Sequence, residues 1–350
     1  MAIFYPGLKK QEFAGNRSFV ADRLLDLRTQ LLDQLPPKTL DRNLIVGSWN
    51  LRDFGRKAGH GFNPEDRLPE SFYYIAQILD AFDVVALQEV NEDLEDFQKV
   101  MKIMGKHYDF IGTDVTAGVS GNGERMVFLY DTRKVSFQNI AGEVVLPSGK
   151  DYLTQFARTP FVVSFQCGWL KFDLCTAHLY YGEDRGDKKE RRVQEIRNLG
   201  RFMMERAVRN ETNTFILGDF NVVGPEDDTW KALEESKFIM PPAVRDIKTN
   251  IDEEKYYDRI AFTSARNEIT FSNIMPGGTF KYYDHVFRDQ DEAYYRGIAK
   301  NMDIPFRKWA TWQMSDHLPL WVQMETDFAD AYLKKMQVPV VPPPVVTPVI

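Results

Sequence analysis

The sequence predicts an α/β (α+β) chain, in which strands and helices alternate, on two observations. Short apolar runs that close on a polar side chain recur, as in Leu44 to Asn50, Asp83 to Glu89 and Phe215 to Asn221. Runs of that length bounded by turn residues read as buried strands. Between them lie stretches with apolar residues every three or four positions, the spacing of one helix face. No repeat at a fixed period is present.

Taken in order, Asn16 to Leu35 places Val20, Leu24, Leu27, Leu31 and Leu35 on one stripe and stops at Pro36-Pro37, which predicts an amphipathic helix packed on the main body. A strand over Leu44 to Asn50 follows, then a loop from Arg52 to Pro69, a helix over Ser71 to Ala81 and a strand over Asp83 to Glu89. Glu92 to Met104 reads as helix. Tyr108 to Thr113 and Arg125 to Tyr130 read as strands flanking a glycine-rich turn, Gly118 to Gly123. Val135 to Glu143, Phe161 to Cys167 and Leu170 to His178 add strands, and a charged helix spans Asp187 to Arg209. Its Arg191, Arg192, Arg197, Arg201 and Arg206 are expected on a solvated face. The strand Phe215 to Asn221 is expected to point Asp219 and Asn221 the same way, because side chains alternate along a strand. A helix near Asp228 to Ser236, a strand over Arg259 to Thr263, a short helix near Asp289 to Ala299 and the segment Trp309 to Leu320 complete the pass. Three parts are expected: an N-terminal helical extension (1–43), a catalytic unit (44–327) and a Pro/Val-rich C-terminal tail (328–350), extended from Val338 onward.

Composition narrows the function classes. With 350 residues, 43% hydrophobic and 27% charged, the chain can bury a large core. No apolar run approaches the roughly 18 residues of a membrane span, and the N-terminus has no basic-then-apolar leader. A cytoplasmic location and no membrane partner are therefore expected. Cys167 and Cys175, on neighbouring apolar runs, are expected as two reduced core residues. The net charge of -7 opposes broad attraction to polyanions, but bound divalent cations would reverse the sign locally.

The polar strand ends form one set: Asn50, Glu89, His178, Asp219, Asn221, Asp258, Asp316 and His317. Two histidines among hard oxygen donors lack the spacing of a zinc finger or an HExxH protease. Carboxylates and carboxamides suit Mg2+ or Mn2+, with Ca2+ as an auxiliary ion. There is no GxSxG elbow and no phosphate loop with its lysine. His60, His107 and His285 have no such company and are expected to be structural.

Six motifs in chain order carry a resemblance: Trp49-Asn50, Gln88-Glu89-Val90, His178, Gly218-Asp219-Phe220-Asn221, Tyr257-Asp258-Arg259-Ile260 and Ser315-Asp316-His317. Together they resemble the endonuclease/exonuclease/phosphatase superfamily. The stretches Trp49 to Gly55, Gly123 to Tyr130 and Phe156 to Pro160 resemble its deoxyribonuclease I branch. The resemblance implies a four-layer sandwich: two mostly antiparallel sheets, helices outside, and an active site at one edge.

It also implies a metal-dependent phosphodiesterase, most specifically an endonuclease cutting DNA by in-line attack of water to leave 5'-phosphate and 3'-hydroxyl ends. RNA stays open as a substrate. Glu89 with Asn50 would hold a cation against the phosphate, while Asp219, Asn221 and Asp316 would bind a second cation or orient the water. His178 and His317 would be the base and acid. By resemblance, Asp258 partners His178 and Glu124 partners His317. Arg158 would contact the phosphate or the metal-site carboxylates, with Arg52 and Asn50 also on the substrate.

Departures bear on the substrate. Where vertebrate deoxyribonuclease I grips the minor groove with an arginine and a tyrosine, this chain has Asn91 and Asn122. Val222-Val223 replaces the Tyr-Arg pair of inositol polyphosphate phosphatases. The alternatives are a sphingomyelinase-like enzyme for lipid or small phosphate esters and an inactive binding module. A protein partner is conceivable through the N-terminal helix or the proline-rich tail.

Overall fold

Alternation along the apolar runs decides the layers. In the computed structural model, which describes residues 3–55, 67–116, 123–149, 152, 155–264, 276–299, 302 and 304–337, strand β1 (Asn43–Phe54) sends Leu44 and Val46 to one side and Ile45 and Trp49 to the other. Both sides are apolar, so the strand is covered on both faces. The same holds for β2 (Val84–Asn91), whose Val84 and Ala86 oppose Val85 and Leu87. His60, Asn122, most of the glycine-rich turn and the tail from 338 lie outside the described residues.

Sheet one is completed by β3 (Tyr108–Gly112), β4 (Glu124–Asp131), β10 (Gly277–Thr279) and β11 (Leu320–Glu325), in the order β10-β11-β1-β2-β4-β3. Sheet two contains β5 (Ser136–Glu143), β6 (Phe161–Cys167), β7 (Leu170–His178), β8 (Asn213–Asp219) and β9 (Asp258–Ser264), in that order. Among the described strands only β1 with β2 and β7 with β8 run parallel; the other pairs are antiparallel. Phe128, Phe165, Phe172, Leu217, Phe262 and Val322 fill the space between the sheets. Each such side chain contributes roughly 2 kcal/mol by leaving water, so this layer holds the two sheets in fixed register.

Helices cover the outer faces. On sheet one lie α1 (Arg17–Gln34), α2 (Pro69–Leu79), α3 (Glu95–Met104), α7 (Glu292–Ile298) and α8 (Phe306–Gln313). Val20, Leu24, Leu27 and Leu31 of α1 are all buried there, so this helix joins the main core, as its stripe predicts. On sheet two lie α4 (Gly186–Asn210) and α5 (Asp228–Glu235), with Val193, Ile196, Leu199 and Trp230 against Ile216 and Ala261. The short α6 (Pro242–Arg245) sits beside β9, β10 and β11. Two mostly antiparallel sheets between helical layers make the four-layer sandwich that the motif order implies.

Some elements depart from expectation. Residues Ala329–Met336 form a helix, α9, inside the segment expected as tail. β11 continues from the point where the sequence reading stops, at Leu320. Arg192 on α4 is fully buried, not solvated. Both cysteines are free and buried, and burial pushes the Cys167 thiol up to about 11. Among the described residues no helix is long and apolar enough to cross a membrane.

Candidate active site

The inner rows of the sandwich run on into the site. On β8, Phe215 and Leu217 face between the sheets, so Asp219 emerges at the end of their row. By the same step of two, Phe172 and Leu174 lead to His178 on β7, Met126 and Phe128 point back to Glu124 on β4, Ile260 and Phe262 point back to Asp258 on β9, and Leu44 and Val46 lead to Asn50 on β1. The parallel pairs deliver their C-terminal ends to one edge, and antiparallel β4 and β9 deliver their N-terminal ends there. The register aligns His178 with Asp219 and Asp219 with Asp258.

Two residues reach this edge by strain. Glu89 belongs by alternation to the outer row, yet it has φ of 59° where the β2–β4 register shifts between Leu87 and Val90. The bulge re-aims it: Glu89 Oε1 accepts from Asn50 Nδ2 at 2.8 Å and Oε2 accepts from the Asp53 backbone N–H at 2.8 Å. Asn221 lies past the end of β8 with φ of 52°, so strand alternation does not place it. A turn does, with the Asn221 N–H donating to Asp219 Oδ1 at 2.9 Å and its amide donating to the Leu179 carbonyl at 3.0 Å. Gly218 permits this approach, since a Cβ there would stand 2.1 Å from the Ala177 carbonyl oxygen at φ of +132°.

The imidazoles are paired the other way round from the expectation. His178 Nδ1 lies 2.9 Å from Glu124 Oε2, and His317 Nδ1 lies 2.8 Å from Asp258 Oδ2. The sheet order explains it. β8 stands between β7 and β9, so Asp219 separates His178 from Asp258, whereas Glu124 meets His178, and Asp258 meets His317, across the gap between sheets. A carboxylate can only accept, so each Nδ1 carries a proton and each Nε2 faces the centre.

At that centre is one oxygen. Asp219 Oδ2 lies 3.6 Å from His178 Nε2, 3.7 Å from His317 Nε2 and 3.1 Å from Asn50 Nδ2. Burial alone would raise Asp219, but the two imidazoles hold it below the usual carboxylate range. Burial would lower His178, yet Glu124 outweighs it and the imidazole titrates above its ordinary value. His317 goes further in the same direction: burial is overcome by Asp258 and Asp219 together, and it sits well above the ordinary imidazole value. Glu124, which burial would raise, is held low by His178 and the Arg158 guanidinium.

The remaining candidates sort by what they touch. Arg158 is buried; its Nε donates to Glu124 and its Nη1 donates to the His178 and Leu179 carbonyls at 3.5 and 3.4 Å, so it braces a carboxylate and is not open to a phosphate. Asp316 is absent from both acid–histidine groupings and lies 3.6 Å from Arg52 Nη1. His317 turns inward on its bridge to Asn250, so its chain neighbour projects the other way. Arg52 also packs 4.0 Å from the Trp312 ring.

Sequence reasoning missed three supports. Arg67 donates to the Leu51, Arg52 and Asp53 carbonyls and fixes the left-handed turn beside Glu89. Glu195 accepts from the Ala157 and Tyr180 N–H groups, and Arg192 donates to the Tyr181, Glu183 and Asn221 carbonyls. Arg192 and Glu195 sit three apart on one face of α4, a spacing that could have flagged them as a pair turned inward.

The donor set fits a hard cation. Glu89, Glu124 and His178 form one group within metal reach, and Asp219, Asp258 and His317 form another. Glu124 and Asp258 are already engaged with imidazole. Glu89 is the partly exposed carboxylate, its side chain 23% accessible, and burial with Glu124 and Asp53 nearby raises its pKa, so its anion lacks a sufficient counter-charge. Asn50 turns its NH2 to both Glu89 and Asp219 while its Oδ1 accepts from the Arg52 N–H at 2.8 Å. Oxygen donors of this kind suit Mg2+, Mn2+ or Ca2+.

Comparison with known proteins agrees with the fold. A family model described as the Endonuclease/Exonuclease/phosphatase family matches residues 47–317. Among curated protein sequences nothing matches. Solved structures that are similar include the Bacteroides thetaiotaomicron mannosyl-6-phosphatase (18% identity, TM-score 0.52, 80% of this chain and 98% of that one). The human Nocturnin catalytic domain with bound sulfate is also similar (14%, 0.53, 81% and 95%). So is D. rerio TDP2 complexed with a single-strand DNA product (16%, 0.51, 81% and 99%).

Proposed function

The chain belongs to the endonuclease/exonuclease/phosphatase family, whose reactions are hydrolyses of phosphoesters, and from that premise we propose that it is a metal-assisted phosphodiesterase that cuts DNA internally, leaving 5'-phosphate and 3'-hydroxyl ends. The observation that carries the reading is the convergence of His178 Nε2 and His317 Nε2 on Asp219 Oδ2. Cleaving a diester of a sugar hydroxyl needs a proton taken from water on one side and a proton given to a poor leaving oxygen on the other. Two imidazoles, each fixed by its own carboxylate, are suited to these two tasks.

In this reading His317, the imidazole with the higher pKa, stays protonated and donates to the leaving oxygen. His178 accepts the proton of the attacking water, which Asp219 orients. Glu124 and Asp258 fix the tautomers. Asn221, held against Asp219, would offer its side-chain Oδ1 to the cation. Glu89 and Asp219, positioned by the Asn50 amide that donates to both, would hold the divalent cation, which when bound supplies positive charge against the phosphoryl oxygens. Arg52, on the rim beside the bulge, would meet the substrate. The catalytic unit is taken as residues 44–327.

A second reading has its own support. Asp184 and Asp316 are partly exposed, their side chains 39% and 42% accessible, Asp184 paired with Arg192 and Lys255 and Asp316 with Arg52, and the chain carries a charge of -7. With its basic groups engaged by these acids, the edge draws a polyanion weakly and suits a small phosphate ester or a lipid headgroup better than a duplex. Parallel assays on supercoiled plasmid, single-stranded DNA, RNA, sphingomyelin and inositol phosphates, each with Mg2+ and with Mn2+, separate the two. Nicked plasmid with untouched small esters supports the nuclease; the reverse pattern replaces it.

A further inference from the structure

Beyond His178 the chain leaves β7 and carries Tyr181 to the surface, where it is 45% exposed. An exposed tyrosine is ordinary by itself. Tyr181 differs in how firmly it is held. Arg192, fully buried, donates from Nε to the Tyr181 carbonyl at 2.9 Å, from Nη2 to the Glu183 carbonyl at 2.9 Å and from Nη1 to the Asn221 carbonyl at 2.9 Å. One planar guanidinium therefore fixes both the tyrosine loop and the residue hydrogen-bonded to Asp219.

The ring itself is braced on two sides. The Arg192 guanidinium lies 4.9 Å from its centroid and covers one face. Tyr257 packs against the Tyr181 ring in a T-shaped pair at 6.2 Å and 87°, and Tyr257 lies 5.7 Å from the His317 ring at 31°. An aromatic step thus runs from the partly exposed Tyr181 through Tyr257 to the imidazole. A braced, half-exposed ring one aromatic step from the group that would handle the leaving oxygen is suited to stacking on a planar ligand.

We infer that Tyr181, braced by Tyr257 and Arg192, is a stacking subsite for a nucleobase adjoining the scissile phosphate. This rests on the phosphoester hydrolase reading of the same site and adds what the substrate carries beside its phosphate. Preference for the ring comes from π-contact, which every base offers, so the subsite selects base over no base and not one base over another.

The test is calorimetric titration of the full chain in Mg2+ with two ligands that differ only by the base, dAMP and deoxyribose 5-phosphate. The wild-type chain should bind dAMP about tenfold more tightly, the effect of one base–aromatic stack. Tyr181→Ala should abolish that ratio while leaving deoxyribose 5-phosphate unchanged, and Tyr181→Trp should restore it. Equal or undetectable affinity for both ligands in the wild type, or a ratio that survives in Tyr181→Ala, overturns the subsite. A ratio lost in Tyr181→Ala alongside uncut plasmid keeps the subsite and removes only the nuclease reading.

Discussion

His178, at the end of β7, and His317, in the segment that leads into β11, reach the same carboxylate oxygen, their Nε2 atoms 3.6 and 3.7 Å from Asp219 Oδ2. Each imidazole is held from behind by its own buried acid, so the pair is symmetric in construction and differs in the charge around it. His317 faces Asp258 and Asp219, while His178 faces Glu124, whose charge is shared with Arg158.

That difference predicts the pH profile. The base must be unprotonated, so the rate should rise as pH passes the His178 pKa, above the ordinary imidazole value. The acid must be protonated, so the rate should fall as pH passes the His317 pKa, higher still. Asp258→Asn removes the main charge that raises His317 and should move the alkaline limb to lower pH. A limb that stays in place would show that another group sets it.

Glu124→Gln should lower kcat/KM by up to about 10^4-fold, the cost of replacing the carboxylate that orients a general-base imidazole. Because the two act as a unit, His178→Ala with Glu124→Gln should be no slower than His178→Ala alone. Additive losses in steady-state kinetics would separate the residues.

Cation binding should depend on Glu89. Mg2+ or Mn2+ should raise the melting temperature and EDTA should reverse it, since a ligand that binds only the folded chain stabilises it. Glu89→Gln should blunt the shift and raise the metal concentration needed for half-maximal activity by about 10-fold or more. An unchanged metal titration in Glu89→Gln would move the site elsewhere.

Away from the site, Glu70 at the start of α2 is almost wholly buried, and burial raises its pKa from 4.5 to about 7. The unfolded chain releases this proton first, so stability should fall as pH rises from about 4.5 to 7 and then level off. The difference amounts to roughly 3 kcal/mol above that window. Urea unfolding of Glu70→Gln should therefore show a gain at pH 8 and little change at pH 4.5. Equal midpoints at both values would contradict it.

Much of this arrangement is legible in the sequence, because it follows a period of two. Phe215, Leu217 and Asp219 share one row, and so do Phe172, Leu174 and His178; a strand reading locates both ends. What periodicity cannot supply is which strands face each other. The pairing of Glu124 with His178 depends on β8 separating β7 from β9, a relation among segments distant in the chain. Local strain is equally hidden, as Glu89 reaches the site only by reversing its φ against its row. Arg192 reads as one more cation on a charged helix, and only the two loops that meet at it, one after β7 and one after β8, show three carbonyls that accept from its guanidinium.

The central claim, that the two imidazoles around Asp219 perform phosphodiester cleavage, is tested most directly by following supercoiled plasmid and a labelled oligonucleotide with wild-type, His178→Ala and His317→Ala chains in Mg2+ or Mn2+. The wild type should nick the DNA and leave 5'-phosphate ends, while each variant should lose about 100-fold or more of the rate. Intact plasmid with the wild type in every cation, or cleavage by both variants at the wild-type rate, would contradict it.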